Sequence, residues 1–199
     1  RKTMRLSDIF DALGSGELAN LHLVENNAII PNKLPIVLNA INLALTDLHT
    51  KFLLKRELVR INIEPTIDTY KITNGDFIEV LNSDMNGIQY SLLNPNTLYV
   101  KADKPTVVTI EYKASHRKLT EEDILDDSEV DLPLSYLNAL LYFIGSRMYV
   151  SVVNQLDGDL NESARYASMY QAELLTLTNQ GIDVDHLNNN DWFYERGFR

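Results

Sequence analysis

The sequence contains no cysteine. That excludes a disulfide framework, thiolate zinc sites and a cysteine nucleophile together, and leaves the redox compartment open. Positive charge is in deficit: 18 Lys and Arg face 28 Asp and Glu among 199 residues, a formal net charge of -10. Nucleic-acid affinity comes mainly from cations that displace phosphate counterions, so a sequence-reading DNA or RNA binder is disfavoured. A surface that lines a path for DNA without gripping it is compatible with a negative field.

Uninterrupted apolar runs are missing too. The most hydrophobic stretch, Leu132 to Val153, carries Asn138 and Arg147. A mid-membrane arginine costs roughly 2.5 kcal/mol or more, so no membrane span is expected. Arg1 to Arg5 is basic, but Leu6 to Leu13 is amphipathic and acidic, so no secretion signal is expected either. Catalytic signatures are equally scarce. His22, His49, His116 and His186 fall in unrelated segments, with no His-Glu-x-x-His pair and no Gly-x-Ser-x-Gly elbow. Gly14-Ser15-Gly16 is followed by Glu17-Leu18, without the lysine of a phosphate-binding loop. Asp157-Gly158-Asp159-Leu160-Asn161 opens like a calcium loop. However, Glu162 stands where a turn-making glycine is needed and Ser168 where a bidentate glutamate is needed. A helix capped by Asp159 accounts for the same residues. The sequence therefore predicts no enzyme, no cofactor and no metal.

What is present is a filled interior and two kinds of periodicity. Hydrophobic residues make up 45% of the chain, enough for a core. Leu34, Val37, Leu38, Ile41, Leu45, Leu48 and Phe52 recur at spacings of three and four, which predicts a helix capped by Asn32. A shorter helix is expected over Leu6 to Leu13, ending at Gly14 or Gly16. From Leu58 the period becomes two. Val59, Ile61 and Ile63 share one face, and Val108, Ile110 and Tyr112 share another further on. Asn74-Gly75 reads as a tight hairpin turn, and Asn86-Gly87 and Asn94-Pro95-Asn96 punctuate further short strands. Thr120-Glu121-Glu122-Asp123 resembles a capping box. Pro133 then opens a second long helix whose apolar residues surround it instead of forming a stripe, so it must be covered on all sides, by its own chain or by another subunit. Gly145-Ser146 in its middle marks either a close approach of a neighbouring backbone or a tolerated kink. A third helix follows, with Ala164, Ala167, Tyr170, Leu174 and Leu177 as its buried face and Gly181 at its end.

The expected class is α+β: an antiparallel helical bundle, residues 1–56 and 118–187, with an inserted small antiparallel β-sandwich-like unit, residues 57–117. Residues 188–199 read as a C-terminal docking arm. There a polar leader, Asn188 to Asp191, precedes Trp192, Phe193, Tyr194, Arg196 and Phe198, the residue types that dominate interface energetics. The acidic run Glu121, Glu122, Asp123, Asp126, Asp127, Glu129 and Asp131 reads as a solvated connection.

The order of segments resembles the head-to-tail adaptor proteins of short-tailed bacteriophages, of the tail tubular protein A or gatekeeper type. The likeness is carried by Leu132-Pro133-Leu134-Ser135-Tyr136-Leu137-Asn138-Ala139-Leu140-Leu141-Tyr142-Phe143 and by Asn161 to Leu174 with its alanines and tyrosines. Pro95-Asn96-Thr97-Leu98-Tyr99-Val100 ahead of Thr106 to Tyr112 adds to it, and the whole spans roughly residues 4–180. The resemblance implies a structural virion protein of the neck, assembled in the host cytoplasm. It would form a homo-oligomeric ring, expected to be dodecameric, between portal protein and tail nozzle protein. DNA would pass through without specific binding. Gly145 would lie where helices of neighbouring subunits come close, and Trp192 to Phe198 would bind an adjacent subunit or the portal. Other readings of the residues are another neck or head-completion protein and a non-viral monomeric β-rich binding module.

Overall fold

The computed structural model describes residues 4–84, 87–153 and 160–180. In chain order the first elements are β1 (Met4–Arg5), α1 (Leu6–Ser15), β2 (Val24–Glu25), β3 (Ala28–Ile29) and α2 (Leu34–Lys51). The strand-rich middle comprises β4 (Arg56–Ile63), β5 (Thr69–Lys71), β6 (Phe77–Asp84), β7 (Tyr90–Asn94), β8 (Thr97–Val100) and β9 (Thr106–Ala114). It is followed by α3 (Glu121–Leu125), β10 (Glu129–Val130), α4 (Leu137–Val153) and α5 (Leu160–Asn179). The class is α+β. The chain divides into two compact units: His49–Arg117 form one, and the described residues on either side of that span form the other.

In the helical unit, α1 buries Leu6, Ile9, Phe10 and Leu13, the i, i+3, i+4, i+7 stripe that its sequence dictates. The Arg5 backbone amide donates to Asp8 Oδ2 at 3.0 Å and the Ser7 amide to Asp127 Oδ1 at 2.9 Å, so carboxylates satisfy first-turn donors. Gly14 faces the turn between β2 and β3, where a Cβ would stand 2.7 Å from the Asn27 carbonyl oxygen. Asn26 and Asn27 both hold positive φ, 53° and 61°. Asparagine tolerates that region, so the pair makes a two-residue hairpin that the periodicity reading missed. Asn32 lies inside a 3-10 turn, Pro31–Lys33, that leads into α2 and does not cap it as a lone residue. At the acidic connection Thr120 N donates to Asp123 Oδ2 at 2.7 Å and Ser128 Oγ to Asp123 Oδ1 at 2.8 Å. Asp123, almost fully buried, is therefore the clasp of that segment, not part of a solvated loop.

The helices do not make a clear bundle; their principal mutual packing is the α4–α5 pair. Ser163 Oγ donates to the Ser146 carbonyl at 2.9 Å, Tyr166 lies over Gly145, and Tyr170 meets Phe143 edge-on at 5.3 Å. As one number rises the other falls, so the two helices are antiparallel. The buried stripe of α5 is Ser163, Tyr166, Tyr170, Leu174 and Leu177. Ala164 and Ala167 are exposed, because the larger tyrosines, not the alanines, fill the seam.

The strand-rich unit has two three-stranded sheets, ordered β4-β9-β6 and β5-β8-β7. Ile63, Leu98, Val100, Val108 and Ile110 from both sheets, with Ile72 just after β5, form one buried cluster. Pro95-Asn96 links β7 to β8 as a short turn, with Asn94 opposite Thr97. Asn74-Gly75 does not close a hairpin. β5 pairs with β8 while β6 pairs with β9, so this segment carries the chain from one sheet to the other. Its side chains serve that crossing: Asn74 Nδ2 donates to Tyr112 Oη at 3.0 Å, and Tyr112 Oη donates to Asp76 Oδ1 at 3.1 Å.

Ile110 is fully buried in that cluster, whereas Val107 on the same strand is 51% exposed. Ile110→Ala is expected to lower unfolding free energy by about 3 kcal/mol. Val107→Ala is expected to stay within about 0.5 kcal/mol of the parent in urea titrations.

Candidate assembly surfaces

Two sequence motifs point to subunit contact, the helix around residue 140 and the C-terminal aromatics. α4 is apolar on nearly every side, and its own chain covers most of its described apolar side chains. Ala139, Leu140, Leu141, Phe143, Ile144, Met148 and Tyr149 are all buried. Asn138 and Arg147 are exposed, and Val150 is half exposed. Most of the cover comes from α5. The Tyr166 ring stacks on Tyr149 at 5.6 Å and on Tyr142 at 6.4 Å, and it lies directly against Gly145. A Cβ at residue 145 would stand 3.0 Å from that ring. The close neighbour of Gly145 is thus a side chain of the same polypeptide. Tyr170 continues the cover on Phe143, and the buried face of α5 runs on through Leu174 and Leu177. Tyr170 donates its hydroxyl to Asp47 Oδ2. Burial, and then that carboxylate, push the Tyr170 phenol far above its ordinary range, so it stays a donor at any working pH.

Trp192, Phe193, Tyr194, Arg196 and Phe198 lie outside the described residues, as do Gly181, His186 and Asp157 to Asp159.

The surfaces that remain apolar and open lie elsewhere. In the strand-rich unit, β7 is an edge strand exposed along its whole length, including Tyr90, Leu92 and Leu93. An unpaired edge of this kind presents backbone donors and acceptors to any strand laid beside it. Leu58, 68% exposed, stands on the other sheet. In the helical unit Leu125 is 86% exposed, and Leu134, Leu160 and Leu175 are also open. A cleft of about 270 Å³ lies between α1, β3, α3 and the start of α2. Leu6, Phe10, Ile29, Leu34 and Ile124 form its apolar lining, with Asp11 and Asp127 among its polar residues.

Asp127 is fixed at the cleft by the Ser7 amide and by Arg5, whose Nη1 is 3.4 Å from Oδ2. The Ser7 backbone bond, with smaller help from the Ser7 side chain and Arg5, holds this carboxyl below the usual aspartate range. Glu17, which accepts Tyr166 Oη on its carbonyl at 3.5 Å, has its carboxyl pushed up by burial.

Two histidines that the sequence placed in unrelated segments do meet. His49 and His116 stand edge-to-face with ring centroids 5.9 Å apart, and His49 is fully buried with Nδ1 3.4 Å from the Ala114 carbonyl. The i, i+3 pattern could not reveal this, because the pairing depends on α2 running into the strand-rich unit. Nearby Lys113 is buried, donating to the Thr50 carbonyl at 2.9 Å and pairing with Glu79 at 3.4 Å. Among the described residues no group of three or more His, Asp and Glu is placed to hold a metal ion. No described helix is long and apolar enough to cross a membrane. Compared with known protein families and with curated proteins, the chain matches none.

Gly145→Ala gains up to about 1 kcal/mol of helix propensity but presses on the Tyr166 ring. Overpacking costs about 1–3 kcal/mol, so a net loss of stability is expected. In the Tyr166→Leu background the loss should shrink or reverse; chemical denaturation of the four proteins of this cycle measures the coupling.

Asp127 gives a pH signature. Because its folded value is depressed, its contribution is present above the ordinary aspartate value of 3.8 and is lost as pH falls through the lower folded value. The difference in thermal midpoint between the parent and Asp127→Asn should therefore be largest near neutrality and shrink below about pH 4.

Proposed function

We propose that the chain is a structural subunit of a bacteriophage neck, a head-to-tail adaptor that assembles into a ring between portal protein and tail nozzle protein. In this reading the helices of residues 1–56 and 118–187 act as a supporting bundle. Residues 57–117 are a small β-sandwich, and residues 188–199 are an arm that docks on a neighbour. The work of the protein is assembly, and no catalytic step is assigned to it.

The observation that carries the reading is the distribution of open apolar side chains. The interior is well filled, yet Leu125, Leu58, Leu175, Leu160, Leu134 and Leu93 are each 60% exposed or more. Scattered exposed leucines are ordinary on any surface. Here they accompany a fully exposed edge strand and an aromatic, arginine-bearing terminal segment, which supports burial against partners. The net charge of -10 supports a wall that DNA slides past. The virion setting rests on the order of segments from Leu6 to Leu174 and its resemblance to short-tailed phage adaptors. Its location in the neck, with the host cytoplasm as the place of assembly, follows from the same resemblance.

A second reading is favoured by one specific observation. Residues 139–149 of α4 bury most of their apolar side chains within their own chain, which favours a monomer such as a β-rich binding module with helical support.

Light scattering of the full chain, alone and mixed with a short-tailed phage portal ring, separates the two. An adaptor is expected to form rings or to add many copies to the portal. A species that stays monomeric and fails to bind portal at micromolar concentration would overturn the adaptor reading and leave the binding module.

A further inference from the structure

We propose that the cleft between α1, β3, α3 and the start of α2 is the socket for the C-terminal segment Trp192–Phe198 of a neighbouring copy. The inference rests on the assembled reading above and gives it a specific contact.

Three observations choose this occupant. First, the cleft is chemically matched to the segment. Its lining is Leu6, Phe10, Ile29, Leu34 and Ile124, a floor suited to aromatic anchors. Its α3 side carries several acids, although Asp127 is already paired with Arg5. Asp11 lines it and is exposed, and exposed Glu121, Glu122 and Asp126 lie on or beside α3, which supplies Ile124. From Leu119 to Ser146 the sequence has no lysine or arginine. The segment, with Arg199 immediately after it, brings Arg196 to that edge, where exposed charge pairs guide register more than they add affinity.

Second, the chain reaches. About twelve residues separate Gln180 from Trp192, and extended backbone spans up to about 3.3–3.6 Å per residue, so the arm covers roughly 40 Å. A neighbouring helix packs only about 10 Å away. Third, Leu125 at the end of α3 is 86% exposed, more than any other large apolar residue described, so the helix that supplies Ile124 also has apolar surface left to bury.

Each copy then offers one arm and one socket. A contact between two different patches is heterologous, and where its rotation closes it forms a ring.

Trp192 is the chain's one tryptophan, so its emission reports the socket directly. Full-length protein is diluted over a wide concentration range while mass and tryptophan emission are followed together. The expected result is emission that moves to the blue and resists acrylamide quenching as mass rises. Asp11→Lys, at an exposed position, and Ile124→Glu, checked for folding by thermal melts, should each raise the midpoint concentration by roughly tenfold or more. Blue, protected emission at every concentration, including where the protein is monomeric, would place the arm on its own chain and overturn the proposal. So would rising mass with water-exposed tryptophan, or with a midpoint that Asp11→Lys does not move; assembly would then stand without this socket. Constant monomer mass with water-exposed tryptophan throughout would remove both the socket and the self-assembled ring.

Discussion

The helical unit depends on one constraint: α4 is apolar around its circumference, so something must cover every side of it. A stripe-forming helix needs one neighbour, whereas this one needs several. The chain meets the demand by laying α5 antiparallel along it and by filling the seam with tyrosines. Gly145 makes room for the Tyr166 ring, and that ring in turn stacks on Tyr149 and Tyr142. Tyrosine suits the place because its ring supplies area while its hydroxyl reaches the edge of the seam, to the Glu17 carbonyl from Tyr166 and to Asp47 from Tyr170. The seam thereby ties α5 both to α4 and to the chain around α1 and α2.

This arrangement leaves little of the described apolar surface of α4 open to solvent. Among the described residues, two of the surfaces left open after the seam is made stand out. One is the exposed edge strand β7, which offers backbone hydrogen bonds and alternating side chains. The other is the apolar cleft beside α3, with acidic residues on the α3 side. The acidic segment that forms that side is held by its own internal bonds. Asp123 accepts from Thr120 and Ser128, and Asp127 from Ser7 and Arg5. Two of its carboxylates are thus structural, while Glu121, Glu122 and Asp126 are exposed.

The positions of α1 and α2 were legible from spacing, because their apolar pattern admits no strand, whereas α4 was marked by its length and by Pro133 ahead of it. The capping box at Thr120 was legible for a similarly local reason. Strand positions were visible, but their pairing was not. Asn74-Gly75 has the composition of a hairpin turn, yet each flanking strand finds a better partner in a different sheet, and only the tertiary core decides that. The β2–β3 hairpin escaped notice because each strand is two residues long, too short for any period to register. The covering of α4 was half legible: the sequence requires cover without saying whose. The small residue at position 145 was the available clue, since Tyr166 lies one helix away in an alanine- and tyrosine-rich run. The cleft beside α3 draws on four separated stretches of chain, and nothing in any one of them announces it.

The strand-rich unit enters and leaves through adjacent strands, since Arg56 of β4 sits opposite Lys113 of β9. Directly opposed residues in an antiparallel pair have Cα atoms about 4.5–5.5 Å apart. A module whose two ends emerge side by side can be gained, lost or exchanged with little more than a short turn to close the gap, because the host chain need not stretch to accommodate it. Evolution can therefore rewrite the surface of residues 49–117 as a cassette while the tyrosine-filled seam of the helical unit is kept, and grafting experiments have the same pair of splice points available.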